Sequence, residues 1–320
     1  MAVAQSKSDD TDTGGGAKHP LKARLRAWWE VYELRPLSAE DGQEAVADGV
    51  DASDDAPAEE KNVPEWSEGR QKLVQLIWGE GFAAPGGPEH VVDLAQPFGL
   101  TAENTMLEIG SGPGGGACAV ADKIGSYVDG FDLSEDLVKQ ALEASMIQGL
   151  DTKVQVKRFK PETFELKQGF YDGCLMREAL IAIEDKDAML EIVLNAIKPG
   201  KPIVITEMFT TSAEPGPLAA ASLDGEFGDV YPTDAAPIVA KIEEMDFEIR
   251  VNADETEEYT AKARTAWSGL AERIAGEELD EGLSAALLRE TKLWDRRNEA
   301  YAAGELEMRR IVAFRNTSVS

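Results

Sequence analysis

The sequence predicts a doubly wound α/β fold, in which helices cover both faces of a mainly parallel sheet. Apolar segments of strand length alternate with helical segments from residue 106 to residue 207. A glycine-rich turn at 110–114 joins the first strand to the helix after it, and Asp132 ends the second strand. This alternation indicates parallel pairing, because neighbouring parallel strands need a long crossover that is usually a helix.

The folded domain is predicted to span residues 63–320 and to begin with a lid of two helices, at 67–78 and 88–96. The alternating core follows as strand 106–109, helix 115–124, strand 127–131, helix 134–147, strand 153–158, strand 171–176, helix 185–196 and strand 202–207. After a proline- and glycine-rich loop at 211–217 come helix 234–245, strand 246–251, a helical stretch at 256–303 and a final antiparallel strand. These segments predict seven strands, an N-terminal helical lid and a C-terminal helical insertion.

Residues 1–62 are predicted to form a separate, largely disordered arm with one amphipathic helix at 20–35, whose apolar face carries Trp28 and Trp29. Residues 39–60 hold nine acidic residues and no basic one, which is typical of a solvated tether. Two interpretations of the helix stay open. It covers an apolar groove on its own protein or on a partner, or it makes peripheral contact with an anionic membrane surface.

Composition narrows the classes of function. The chain has 320 residues and a net charge of −28, which would repel a phosphate backbone, so we expect no nucleic-acid partner. Cys118 and Cys174 lie in apolar stretches and are expected to be buried free thiols. No signal peptide is recognisable, and no apolar run reaches the roughly 18 residues of a membrane span, so we expect a cytoplasmic location.

The glycine-rich turn is the predicted ligand-binding element. Gly110, Gly112 and Gly114 occupy alternate positions directly before a predicted helix. Glycine tolerates a positive φ and lets a ligand approach bare backbone. The start of the helix adds unpaired N–H groups and the positive end of its dipole.

Further candidates follow from strand ends. Asp132 lies 24 residues after Glu108, near the spacing of roughly 20 residues at which a carboxylate binds ribose hydroxyls. Ligands of doubly wound sheets bind at the carboxyl ends of strands near the point where the strand order reverses. We therefore expect Phe159 and Arg177 to gather there with the glycine turn.

Four segments carry a family resemblance: IWGEGFAAPGG at 77–87, MLEIGSGPGGG at 106–116, MREALIAIEDK at 176–186 and KPGKPIVITEMF at 198–209. In their order and spacing they resemble class I S-adenosyl-L-methionine (SAM) methyltransferases, closest to the branch of phosphoethanolamine N-methyltransferases and sterol methyltransferase-like enzymes. The resemblance implies a Rossmann-like sheet, SAM as cofactor and a small-molecule methyl acceptor. Nitrogen is slightly favoured over oxygen, sulfur or carbon as the methylated atom.

The resemblance also implies which residues bind SAM. The glycine loop would hold the methionine part, and the acid after the second strand would hold the ribose. The residues assigned in this way are Glu108, Gly110, Gly112, Gly114, Asp132, Leu133, Phe159 and Arg177. An NAD or FAD site and a purely structural loop remain as alternatives.

The chain departs from that branch at the acceptor site. A Tyr–His pair that helps position and deprotonate the amine is replaced, at the matching positions, by Trp66 and Ala182. The catalytic residues are therefore unknown, and the candidates are Glu178 and Trp66. Glu178 either faces the acceptor or caps the next helix, and Trp66 either lines the acceptor pocket or packs the lid.

Loss of the pair is compatible with methyl transfer, because a sulfonium is already activated and alignment alone lowers the barrier substantially. We therefore expect an active methyltransferase, with rates that follow the proton loss of the acceptor amine. Glu178 would act as a base only if burial raised its pKa. A SAM-fold binding or assembly protein without turnover is the alternative. No ligand cluster suggests a metal, and the oligomeric state and the acceptor are left open.

Overall fold

The computed structural model describes residues 64–274 and 279–317. The predicted arm at 1–62, including the helix at 20–35, lies outside these residues. Within them, no helix is long and apolar enough to cross a membrane, and the cytoplasmic location stays a prediction.

One sheet organises the described part of the chain. Its seven strands are β1 Thr105–Ile109, β2 Tyr127–Asp132, β3 Val154–Arg158, β4 Gly173–Arg177, β5 Pro202–Thr210, β6 Phe247–Asp254 and β7 Leu306–Arg315. They are ordered β3-β2-β1-β4-β5-β7-β6. Strands β1 to β5 pair in parallel, whereas β7 is antiparallel to both β5 and β6. The predicted α/β class and the antiparallel final strand are confirmed.

Two helices precede β1, and the others connect the strands. They are α1 Glu68–Trp78, α2 Gly87–Leu94, α3 Gly115–Ile124, α4 Glu135–Ile147, α5 Lys186–Ala196, α6 Pro217–Leu223, α7 Ala235–Glu244, α8 Thr256–Ser268, α9 Leu270–Arg273 and α10 Glu281–Ala302. The side chains of Ser134 and Asp185 cap α4 and α5 by accepting backbone N–H bonds. All nine residues of β5 are buried, as expected for a strand covered on both faces.

The structure adds detail to two predictions about the C-terminal half. The loop predicted at 211–217 ends in α6, which begins at Pro217 because proline at the first helical position has no N–H to leave unpaired. The helical stretch at 256–303 is divided into α8, α9 and α10.

The predicted lid packs directly on the glycine loop. The N–H of Gly115 donates to the carbonyl of Gly81 over 2.9 Å, and a Cβ at Gly81 would lie 2.9 Å from the Cα of Gly115. At the end of lid helix α1, Trp78 contacts Trp294 of α10, with ring centroids 5.0 Å apart. Lid, sheet and C-terminal helices thus share one interior.

Candidate functional site

A cavity of about 1050 Å³ opens at the carboxyl ends of the parallel strands. It lies at the point where the strand order reverses, between β1 and β4. The structure brings together here Gly110, Gly112, Asp132, Phe159 and Arg177, which come from four different strand ends. Ligands of doubly wound sheets bind at this place.

The glycines of the loop serve two different purposes. Gly110, Gly112 and Gly114 have φ values of 80°, 54° and 87°, all in the left-handed region. A Cβ at Gly112 would meet nothing within 4 Å, so this part of the loop leaves room for a ligand. A Cβ at Gly114 would lie 2.7 Å from that of Ala141 on α4. Gly114 is not among the described residues that line the cavity, and it lets the loop pack on α4.

Asp132 stabilises the loop from the neighbouring strand. Its Oδ2 accepts the N–H of Gly112 over 2.8 Å, and its Oδ1 accepts the N–H of Ser134 over 2.9 Å. Burial raises the pKa of Asp132, whereas these backbone hydrogen bonds act against that rise. The carboxylate lines the cavity together with Leu133, at the height of the glycine loop. Oxygen lone pairs left over on such a group can accept hydroxyl protons.

Glu108 lies beneath the loop and does not line the cavity formed by the described residues. It is fully buried, and neither of its carboxylate oxygens has a hydrogen-bond partner in the described part of the chain. The Nε of Arg177 is 3.9 Å from Oε1. Burial raises the pKa of Glu108 to about 7, against the lowering effect of Arg177. Buried polar atoms without a hydrogen-bond partner are rare in folded proteins.

An aromatic wall completes the part of the cavity next to Asp132 and the glycine loop. Phe159 packs against Phe131 and Phe164, with ring centroids 6.4 Å and 4.6 Å away. Its N–H donates to the carbonyl of Asp132 over 3.0 Å. Phe159 and Phe164 line the cavity. Such a wall suits a flat ring, because aromatic faces stack and bury large apolar areas.

Glu178 lines the cavity just after β4, on the side of Tyr259. It has a φ of 48°, a conformation that for a non-glycine residue stores about 1–3 kcal/mol. Its Oε2 accepts the hydroxyl proton of Tyr259 over 2.9 Å, and burial raises its pKa. The alternative in which Glu178 caps the next helix was wrong, because Asp185 caps α5.

Trp66 lies where the cavity wall meets lid helix α1. It lines the cavity and also stacks on Arg70 of α1, whose guanidinium carbon is 4.1 Å from the ring centroid. The same guanidinium carbon is 3.5 Å from the ring centroid of Phe227. The Nε of Arg70 donates to Glu290 over 3.1 Å. Lid helix α1 and helix α10 are therefore joined at the cavity wall.

Other residues of this half were not predicted. Arg297 forms a bidentate pair with Glu226, with distances of 2.8 Å and 2.6 Å, and Tyr259 stacks on Trp294. Trp294 is buried and also lines the cavity. The three-residue spacing of Trp294 and Arg297, which puts them on one face of α10, was the available signal.

Comparison with known proteins fits this geometry. Residues 100–248 match the family described as a methyltransferase domain. Phosphoethanolamine N-methyltransferase 2 of Caenorhabditis elegans is 31% identical over 133 residues, which are 41% of this chain and 30% of that protein. The Plasmodium falciparum enzyme is 26% identical over 45% of this chain and 53% of its own length.

A solved structure shares the fold. Phosphoethanolamine N-methyltransferase 2 of Haemonchus contortus, in complex with phosphomonomethylethanolamine and S-adenosylhomocysteine, superposes with a TM-score of 0.67 and 21% identity. The match covers 79% of this chain and 59% of that one, and another structure of the same protein holds SAM. The core of this chain is a class I SAM methyltransferase domain. The resemblance to the phosphoethanolamine branch is confirmed, although the chain spans less than two thirds of these relatives.

The methyltransferase domain has no histidine among the described residues that line its cavity. Ala182 lines the cavity. His90 lies on α2, with its Nδ1 3.0 Å from the Nζ of Lys262. Burial, and next Lys262, lower the pKa of His90 to about 4. Glu207 is also outside the lining, since it turns inward and accepts the N–H of Leu180 over 2.7 Å.

Proposed function

We propose that this protein is a SAM-dependent methyltransferase that acts on a small molecule, with nitrogen as the favoured methylated atom. The observation that carries the proposal is the single cavity that joins the glycine loop and Asp132 to the Glu178–Tyr259 pair. A donor and an acceptor held in one enclosed space meet the main requirement of direct methyl transfer, which is alignment. The comparisons give no support to a binding or assembly protein.

The residues present fit SAM, which when bound supplies an electrophilic methyl group on a sulfonium. We propose that Asp132 binds the ribose hydroxyls and that Phe159 and Leu133 cover the adenine. Gly110, Gly112 and Arg177 would surround the methionine part. Glu108 and Gly114 would support the SAM site without contacting SAM. Glu108 would orient Arg177, and Gly114 would let the loop pack on α4.

On the acceptor side, we propose that Glu178 holds the nucleophile and takes up its proton. Tyr259 orients the carboxylate, and it stays a donor because burial raises its pKa well above the ordinary value. Trp66 would line the acceptor position, where it excludes water. Exclusion of water strengthens the electrostatic interactions inside the cavity.

Turnover is tested directly with SAM labelled in the methyl group. Incubation of the full chain with labelled SAM and a small-molecule extract is expected to move label into a compound other than SAM. Boiled protein serves as the control for spontaneous methylation. SAM that stays bound but unconsumed across all fractions would favour the non-catalytic alternative.

The cofactor site is tested by Asp132→Ala. Loss of its hydrogen bonds is expected to weaken SAM binding by about 1–3 kcal/mol in isothermal titration. Asp129→Ala is the matched control, because it removes a carboxylate from the same strand that contacts only Tyr171 in the described hydrogen bonds. Equal affinity of the Asp132 variant and the wild type would contradict the ribose assignment.

We also propose that residues 63–320 form the methyltransferase domain and that 1–62 form a separate arm. The acidic tether at 39–60 supports that division. A cytoplasmic location is part of the same proposal.

A further inference from the structure

The charge of the cavity wall is strongly one-sided. Seven glutamates and four aspartates line it, against four arginines, and no lysine or histidine is among the described lining residues. A cavity walled by one sign of charge concentrates ligands of the opposite sign and repels ligands of the same sign. The acceptor of this domain must enter past that wall.

The four arginines offset this only in part, because three of them already donate to a carboxylate. The fourth, Arg177, lies within 4 Å of Glu108 without a hydrogen bond to it. The pairs are Arg70 with Glu290 at 3.1 Å, Arg158 with Glu135 at 3.4 Å, Arg177 with Glu108 at 3.9 Å and Arg297 with Glu226 at 2.6 Å. The acceptor half is the part of the cavity lined by Trp66, Glu178 and Tyr259. Among the described residues that line it, Arg70 and Arg297 are the only cations. The Arg297 pair is bidentate, so Glu226 occupies the paired-donor edge that would grip a phosphate.

Aromatic faces surround the same half of the cavity. Trp66, Phe227, Tyr231, Tyr259 and Trp294 all line it, and Glu178 stands beside Tyr259. Trp66, Phe227 and Trp294 already hold a cation on one ring face, since Arg70 stacks on the first two and Arg297 on the third. Aromatic rings attract cations through their negative faces, and a carboxylate adds a direct charge. Recognition of quaternary ammonium groups commonly uses this combination.

We infer that the acceptor is an amine without a phosphate group, whose nitrogen is or becomes cationic in an acidic, aromatic half-cavity. The inference rests on the proposed function and narrows it. Arg70 and Arg297, the cations that could hold a phosphate, are neutralised by Glu290 and Glu226. The Haemonchus contortus relative, by contrast, was solved with a phosphorylated amine.

Methyl transfer to this acceptor forms one bond, breaks one bond and moves one positive charge. The nitrogen lone pair forms a bond to the methyl carbon, and the carbon–sulfur bond breaks with its electron pair left on sulfur. The positive charge passes from sulfur to nitrogen. A primary or secondary amine then gives its proton to the Glu178 carboxylate, whereas a tertiary amine keeps the charge as a quaternary ammonium.

The test compares choline with phosphocholine, two ammonium probes that differ by one phosphate. Isothermal titration into the full chain, alone and loaded with S-adenosylhomocysteine, is expected to show choline binding at least about tenfold more tightly, because like charges facing each other are costly. Tighter binding of phosphocholine would overturn the inference, and so would failure of both probes to bind. Neither result depends on turnover. Failure to bind S-adenosylhomocysteine would count against the proposed function alone.

Two variants test the reason for the preference. Glu226→Gln and Glu290→Gln each release one arginine, and each is expected to bring phosphocholine affinity several-fold closer to that of choline. Glu248→Gln is the matched control, because it breaks an ion pair with Arg250 on the exposed surface. Thermal melting of each variant establishes that it folds. If both folded variants keep the wild-type ratio, the neutralised arginines do not set the preference.

Discussion

Replacement of Glu178 by glutamine is expected to lower kcat/KM for an amine acceptor by about 10²–10⁴-fold, the range for loss of a general base. Glutamine keeps the size and the hydrogen bond from Tyr259 but cannot take up a proton. SAM binding is expected to stay close to wild type, because the Glu178 carboxylate accepts its described hydrogen bond from Tyr259, whereas Asp132 bonds to the backbone of Gly112 and Ser134. Steady-state kinetics and titration with SAM measure the two quantities.

The same substitution changes the dependence on pH. Burial raises the pKa of Glu178 above its ordinary value of 4.5, so the carboxylate that acts as base forms only above that raised pKa. Activity of the wild type is therefore expected to rise with pH in two steps. The first step, the enzyme limb, follows the ionisation of Glu178 above pH 4.5, and the second follows proton loss from the amine. The first limb should be missing in Glu178→Gln.

Tyr259→Phe is the companion variant. The hydrogen bond from Tyr259 lowers the pKa of Glu178, so its removal is expected to move the enzyme limb to higher pH without abolishing it. Phenylalanine keeps the stacking on Trp294, whose ring lies 6.2 Å away. A pH profile that is identical in all three proteins would show that the acceptor loses its proton unaided, as the sequence had suggested.

Gly110→Ala is expected to lower the free energy of unfolding by about 2–5 kcal/mol, from left-handed strain and an overpacked contact together. The φ of Gly110 is 80°, and a Cβ there would lie 2.6 Å from the carbonyl oxygen of Arg177. The carbonyl oxygen belongs to the backbone, and a Cβ is fixed directly to the Cα, so neither atom can turn away. Urea unfolding of the two proteins measures the difference.

Gly112→Ala provides the control for that experiment. Gly112 has a φ of 54°, and a Cβ there would meet nothing within 4 Å. Only the backbone strain of about 1–2 kcal/mol should appear. Equal destabilisation by the two variants would show that contact with Arg177 does not matter.

Much of the fold was readable from local patterns. Glycine turns, cap residues and apolar runs predicted α3, for instance, with the bounds 115–124 that the structure has. Strand β5, in contrast, continues three residues beyond the predicted end at Glu207, because its pairing with β7 extends to Thr210. A partner more than 90 residues away leaves no mark on the local sequence.

The cofactor half of the site was predictable because its residues are close in sequence. The acceptor half largely was not, because its contacts join distant parts of the chain. Gly110, Gly112 and Asp132 lie within one strand–helix–strand unit, so their spacing reveals their arrangement. Arg70 and Glu290 are 220 positions apart and meet only through the packing of α1 on α10. Glu178 was found as a candidate, but its partner Tyr259 comes from a different part of the chain.

The position of β7 in the sheet has a consequence for how the chain is made. In the described sheet β6 is an edge strand whose single neighbour is β7, and α8 to α10 separate the two in sequence. During synthesis β6 therefore leaves the ribosome well before it can pair. Until residues 306–315 follow, β5 lacks a neighbour on one side and β6 has none, and such unpaired strand edges are prone to aggregate.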